Sequence, residues 1–207
     1  MPKWLEDHSL SLSFALLFVV AVIGQSMSGQ ASYNSTRAMY GVPAVSYSAY
    51  LHTGDFLDGI FTNWQAALLQ LGCLIVFGRK FREKGAAHSL KPKEEERGSE
   101  EGNDRPWIYR NSLSLAFTVL FALSFMAHLH FGSMQYNERL ALIHQPPVGA
   151  GEYSMSSTFW FSNCQTWEAE FAAIAIYVIL SVYLRQQGSP ESKPVDSSNQ
   201  QTGETNH

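Results

Sequence analysis

The sequence predicts an all-α membrane protein: four transmembrane helices, laid out as two tandem parallel helix-hairpin repeats with long extracytoplasmic connectors. Three observations carry that prediction. The chain repeats itself at an offset of about 103 positions. Strongly apolar stretches alternate with polar ones. Lys and Arg concentrate on alternate loops.

The repeat needs no gap. Trp4 falls on Trp107, and the SLSL string from Ser9 to Leu12 falls on the one from Ser112 to Leu115. Gly29 meets Gly132, Tyr33-Asn34 meets Tyr136-Asn137, and Pro43 and Val45 meet Pro146 and Val148. The register persists through Tyr50 and Tyr153, Phe56 and Phe159, Trp64 and Trp167, to Gly85 and Gly188. This gives a first repeat over residues 1–85, a charged flexible linker over 86–105, a second repeat over 106–188 and a disordered tail over 189–207.

The elements follow in order. A hydrocarbon core of about 30 Å takes about 20 helical residues to cross. Residues 9–28 and 112–131 fit, free of Asp, Glu, Lys and Arg. Residues 56–78 and 159–184 fit as longer segments with their polar residues mainly in the first half. A signal peptide is the alternative for the first span, with Lys3 ahead of it and Ser26-Met27-Ser28 as a small-x-small site. Glu6 and Asp7 spoil its basic flank, and the same segment recurs internally from Trp107. The linker, AAHSLKPKEEERGSEEGNDR, has no apolar period with which to order itself.

The segment from Arg79 to Arg110 holds most of the 14 Lys and Arg, and each of the other two loops holds one, Arg37 or Arg139. Positive loops stay inside, so both termini and the linker are expected in the cytoplasm of a multi-pass cell-membrane protein. With an even number of spans per repeat, both copies enter the membrane in the same direction. In the connectors, Asn34, Asn137, Asp55 and Thr158 are helix N-cap residues in type. The connectors are rich in Tyr and Phe, which suit the outer interface. They read either as a lid over the bundle or as a binding surface.

The SLSL span, the Tyr-Asn and Pro-x-Val connector, the NWQ or W-x-x-E-F start of the second span and the RQQGSPESKP exit resemble a family of small bacterial membrane proteins. That family is labelled only as a domain of unknown function. The resemblance implies four membrane helices and brings no activity, cofactor or site with it.

Composition narrows the function further. The formal net charge of −4 lacks the basic face that a nucleic-acid binder needs. Two cysteines, Cys73 and Cys164, make no C-x-x-C pair. No nucleophile elbow, phosphate loop or metal-protease motif is present, and histidines on the third span alone do not make a bis-His haem site. No cofactor and no catalytic residue is therefore expected. The expected partners are the bilayer and either a membrane protein or a second copy of the chain.

Chemistry has one candidate place. The third span ends His128-Leu129-His130, and the fourth carries Glu168 and Glu170, where the first repeat has Gln65 and Ala67. Ionisable groups at membrane depth are functional candidates, and His with Glu can relay protons or bind a divalent cation. The packing alternative is that His near a helix C-terminus and Glu near an N-terminus simply satisfy the helix dipoles. Residues two apart lie about 200° apart around a helix, so at most one His and one Glu face a shared site. The function expected first is a non-catalytic membrane component or partner-binding subunit; the alternative is small transport or ion handling through this cluster.

Overall fold

We describe residues 2–89 and 105–203 of a computed structural model. Residues 90–104, most of the expected linker, and 204–207, the end of the expected tail, lie outside the described set. The elements are α1 (Lys3–Asp7), α2 (Ser9–Met39), α3 (Tyr47–Tyr50), α4 (Gly54–Gly78), α5 (Trp107–Arg110), α6 (Ser112–Leu142), α7 (Ala150–Ser154) and α8 (Ser157–Tyr183). The described residues contain no strand. Four helices, α2, α4, α6 and α8, are long and apolar enough to cross a membrane.

α2 and α6 run to 31 residues each, well past the expected ends at Ser28 and Phe131. The apolar pattern marks only the part that would sit in hydrocarbon. The helix itself continues because no Pro, and no Gly beyond Gly29 or Gly132, interrupts it before position 40 or 143. At 1.5 Å per residue such a helix is about 47 Å long.

Both helices stop in the same way. After α2, the Gly41 amide donates to Ala38 and the Val42 amide to Arg37, with Gly41 at φ 69°. After α6, the His144 amide donates to Ala141 and the Gln145 amide to Leu140, with His144 at φ 55°. These are Schellman ends, which satisfy the last carbonyls by turning one residue left-handed.

Asn34 and Asn137 are not N-caps, as their type suggested; each lies inside its helix and reaches sideways. Asn34 Oδ1 accepts from the Val45 amide at 2.8 Å and its Nδ2 donates to the Val45 carbonyl at 3.0 Å. Asn137 makes the same two bonds with Val148, at 2.9 and 3.0 Å. The returning chain is thus clipped to the helix that it has just left. Asp55 is likewise in the first turn of α4, and Thr53 caps it by accepting from the Phe56 amide.

The chain divides into two units, and α4 and α6 contribute to both. The first contains Met1–Ile60 and Ala127–Ser156. Within it, Tyr50 and Tyr153 fold back into buried positions, the hydroxyl of Tyr50 against Gly29 and that of Tyr153 against Gly132. Tyr33 packs on Tyr50 and Tyr136 on Tyr153, with ring centroids 5.5 and 5.4 Å apart. The start of α4 presses backbone to backbone on α6: a Cβ on Gly54 would collide with the Gln135 nitrogen.

The second unit contains Phe61–Met126 and Ser157–His207. Here Trp167 Nε1 donates to the fully buried Gln65 at 2.9 Å, and Phe117 packs near Gly72 of α4. The described part of the tail meets the chain that follows α4: the Gly85 amide donates to the Thr202 hydroxyl and the Gly203 amide to the Ala86 carbonyl. Lys193 is buried, with its ammonium within hydrogen-bond reach of the carbonyls of Gly85, Val182, Ser198 and Gln201, which its three N–H groups share. Desolvation, and then the neighbouring Arg185 charge, lower its pKa.

The distribution of polarity is inverted relative to a water-soluble fold. Gln65, His128 and Asn163 are 0% exposed, whereas Phe14, Leu16 and Phe161 are 65%, 64% and 69% exposed. A helix bundle in water buries its leucines and phenylalanines. One in lipid packs through small and polar groups and leaves apolar side chains outward.

Candidate functional site

Polar chemistry in the first unit gathers where α4 begins and α6 ends. Four α6 positions, His128, Gly132, Gln135 and Arg139, share one face by their spacing of four, three and four residues. Opposite them on α4 stand Asp55 and Asp58, one turn apart. The two helices meet in opposite directions, because Asp55 reaches Gln135 and Arg139 while Asp58 reaches His128.

Asp58 and His128 form the inner contact. His128 Nδ1 lies 2.7 Å from Asp58 Oδ1; the imidazole is fully buried and the carboxylate side chain is 10% exposed. Gly132, one turn further along α6, gives them room: a Cβ there would lie 2.8 Å from Asp58 Oδ1 and 2.7 Å from the Tyr153 hydroxyl. Tyr153 is pushed up to about 12 by burial and then by the Asp58 charge, so its phenol remains protonated against that carboxylate.

The outer contact is a second carboxylate layer. Asp55 accepts from the Tyr50 hydroxyl at 3.3 Å and from Gln135 Nε2 at 3.1 Å, and Arg139 comes within 3.9 Å. Glu138 accepts from the Gly54 amide at 2.8 Å and from the Tyr33 hydroxyl at 3.3 Å. A carboxylate at the first amide of α4 meets the positive end of that helix. Tyr50 is pushed up to about 12, by burial first and Asp55 second. Above this layer opens a cleft of about 400 Å³, whose lining includes Tyr33, Arg37, Asp55, Glu138 and Arg139. That volume falls in the range that holds a small ligand.

The four residues singled out from the sequence fall in both units. His128 and His130 belong to the first, and Glu168 and Glu170 to the second. His130 is exposed, with its ring 4.9 Å from Phe131. Glu168 is exposed and Glu170 half-buried; the Glu170 backbone carbonyl accepts from Gln70 at 2.8 Å. The contact that the structure forms is His128 with Asp58. The sequence reading singled out none of Asp58, Gln135 and Glu138, and took Asp55 for a helix cap. A usable signal existed: Asp58 is an acidic residue inside a stretch otherwise apolar enough to cross a membrane. No group of three or more His, Cys, Asp or Glu placed to hold a metal ion occurs among the described residues.

Comparison with known proteins gives one assignment. Neither the curated proteins nor the solved structures contain a match to this chain. A family model described as "Domain of unknown function (DUF6766)" matches residues 1–204. The chain therefore belongs to the DUF6766 family.

Proposed function

We propose that the chain is a multi-pass bacterial cell-membrane protein of two tandem helix-hairpin repeats, with both termini and the linker in the cytoplasm. On this reading it acts as a non-catalytic membrane component that binds a membrane partner or a second copy of itself. The observation that carries the membrane assignment is the inverted burial of polar and apolar side chains along four long apolar helices. The duplication is supported by local structure as well as by identities. The Asn–Val clip, the Gly–Tyr contact, the Tyr–Tyr pair and the Schellman end each occur twice at one offset. The orientation is supported by the distribution of Lys and Arg. Reporter fusions test it: a reporter after Leu90 and one at the C-terminus should be cytoplasmic, and insertions near Thr53 and Gly151 should be exported. A cytoplasmic signal from either connector would refute the topology.

A second reading, proton or cation handling through His128, His130, Glu168 and Glu170, is favoured by the burial of His128 against a carboxylate. Flux in proteoliposomes tests it. Glu170→Gln should abolish proton or cation flux, while Glu152→Gln, at an exposed position in α7, should not. Wild-type liposomes without flux under any ion gradient would leave the partner-subunit reading standing alone.

A further inference from the structure

The buried Asp58–His128 contact has no counterpart in the other half of the chain: the offset places Gln25 at His128 and Phe161 at Asp58. A polar pair kept at one of two equivalent places is not required by the shared architecture. Its charge balance is distinctive as well. The cleft is lined by two carboxylates, Asp55 and Glu138, and two guanidiniums, Arg37 and Arg139, and Asp58 lies one turn along α4 from Asp55. Asp55 and Glu138 also accept from Gln135, Tyr50, Tyr33 and the first amide of α4. Asp58 has the His128 imidazole 2.7 Å from its carboxylate.

We propose that Asp58 and His128 together hold one exchangeable proton, making this buried contact between α4 and α6 a proton-binding site. A lone carboxylate buried to this degree is costly, and an imidazolium at 2.7 Å offsets that cost. Imidazole is also the side chain whose charge changes between about pH 5 and 8. The proton comes from water and returns to it; no other bond changes. Titratable groups on the elements packed around the pair include Tyr153, Asp55 one turn away on α4, Glu138 and Arg139 on α6, Tyr33 and Arg37 on α2, and Tyr50 in the first connector. The phenols of Tyr50 and Tyr153 stay neutral over this range. His130, two residues from His128, is exposed and directed about 200° away around the helix. The inference deepens the proton-handling reading but does not require transport, since a protein can bind a proton without moving it.

The test is nuclear magnetic resonance of the full chain in lipid nanodiscs, with nitrogen-labelled histidine, from pH 4.5 to 9. Of the seven imidazoles, the one missing from His128→Gln should change protonation within that range. In Asp58→Asn the same transition should move measurably, because the imidazole loses its charged partner. If His128→Gln does not fold, Asp58→Asn still identifies the signal as the one that moves most. An imidazole that stays in one state from pH 4.5 to 9, or a transition unmoved in Asp58→Asn, would overturn the proposal. Absence of flux with a titrating His128 would remove transport and leave the proton site intact.

Discussion

The first connector, between α2 and α4, and the second, between α6 and α8, share backbone fixtures and differ in chemistry. Each begins at a Schellman end, is clipped by an Asn inside the preceding helix, and returns a Tyr onto a Gly of that helix. The first then leads into Gly54, Asp55 and Asp58; the second leads into Ser157, Thr158 and Phe161. The repeated features all fix where the chain goes. The unrepeated ones, the two aspartates with His128, Gln135 and Glu138 opposite, add charge at one of the two places, with Glu138 also taking the first amide of α4. Restraint of the chain and chemistry at the site are thus separable in this molecule, and they can be perturbed separately.

The largest effect should come from Gly54. A Cβ added there would run into α6 backbone, at the Gln135 nitrogen and the Met134 carbonyl carbon. A side chain there must push two helices apart, because neither obstructing atom belongs to a rotatable group. Gly54→Ala should cost about 3 kcal/mol of stability in detergent, at the upper end for overpacking, and should also pull the first amide of α4 away from Glu138. The corresponding change at Ser157, exposed at the start of α8, should cost little. Equal losses from Gly54→Ala and Ser157→Ala would show that this contact is not where the two hairpins differ.

A middle-sized effect is expected from the shared clips. Asn34→Ala and Asn137→Ala each remove two side-chain bonds to a returning strand of chain and leave the Val45 or Val148 amide to find another partner. Each should cost about 1–2 kcal/mol, and the two losses should agree within about 0.5 kcal/mol. Thermal unfolding of the two variants in one detergent measures the comparison. A large disparity would mean that the connectors are alike in geometry and unlike in the load each Asn carries.

How much of this could be read from sequence follows the same division. The four helices were legible because hydrocarbon thickness imposes a length and a composition. Their true ends were not, because a helix leaving lipid is held by local backbone bonds and needs no apolar residues to continue. Asn34 carried a misleading signal: a short amide can cap a helix or clip a distant backbone, and its type is the same in both uses. His128 was visible as an ionisable residue in an apolar run, whereas its pairing with Asp58, 70 positions away, depends on which helix faces come together. No periodicity encodes that. Asp58 itself was hidden by its surroundings, a single acidic residue one turn past another that looked like a cap.

The smallest predicted effect concerns the turn that ends each first helix. Gly41 and His144 occupy equivalent positions and both are left-handed, at φ 69° and 55°. Glycine adopts that region freely, whereas a residue with a Cβ meets the following carbonyl, at a cost of about 1–2 kcal/mol. His144 is exposed, so little packing is lost on replacing it. His144→Gly should therefore stabilise the protein by about 0.5–1 kcal/mol, the relief of strain being partly offset by the greater freedom of glycine in the unfolded chain. Gly41→His should destabilise by a similar amount, and the double exchange should come out near zero. Chemical denaturation of the three variants decides it. If His144→Gly is destabilising instead, the imidazole must contribute something to the second connector that the first connector lacks. The backbone fixture would then no longer be equivalent in the two hairpins.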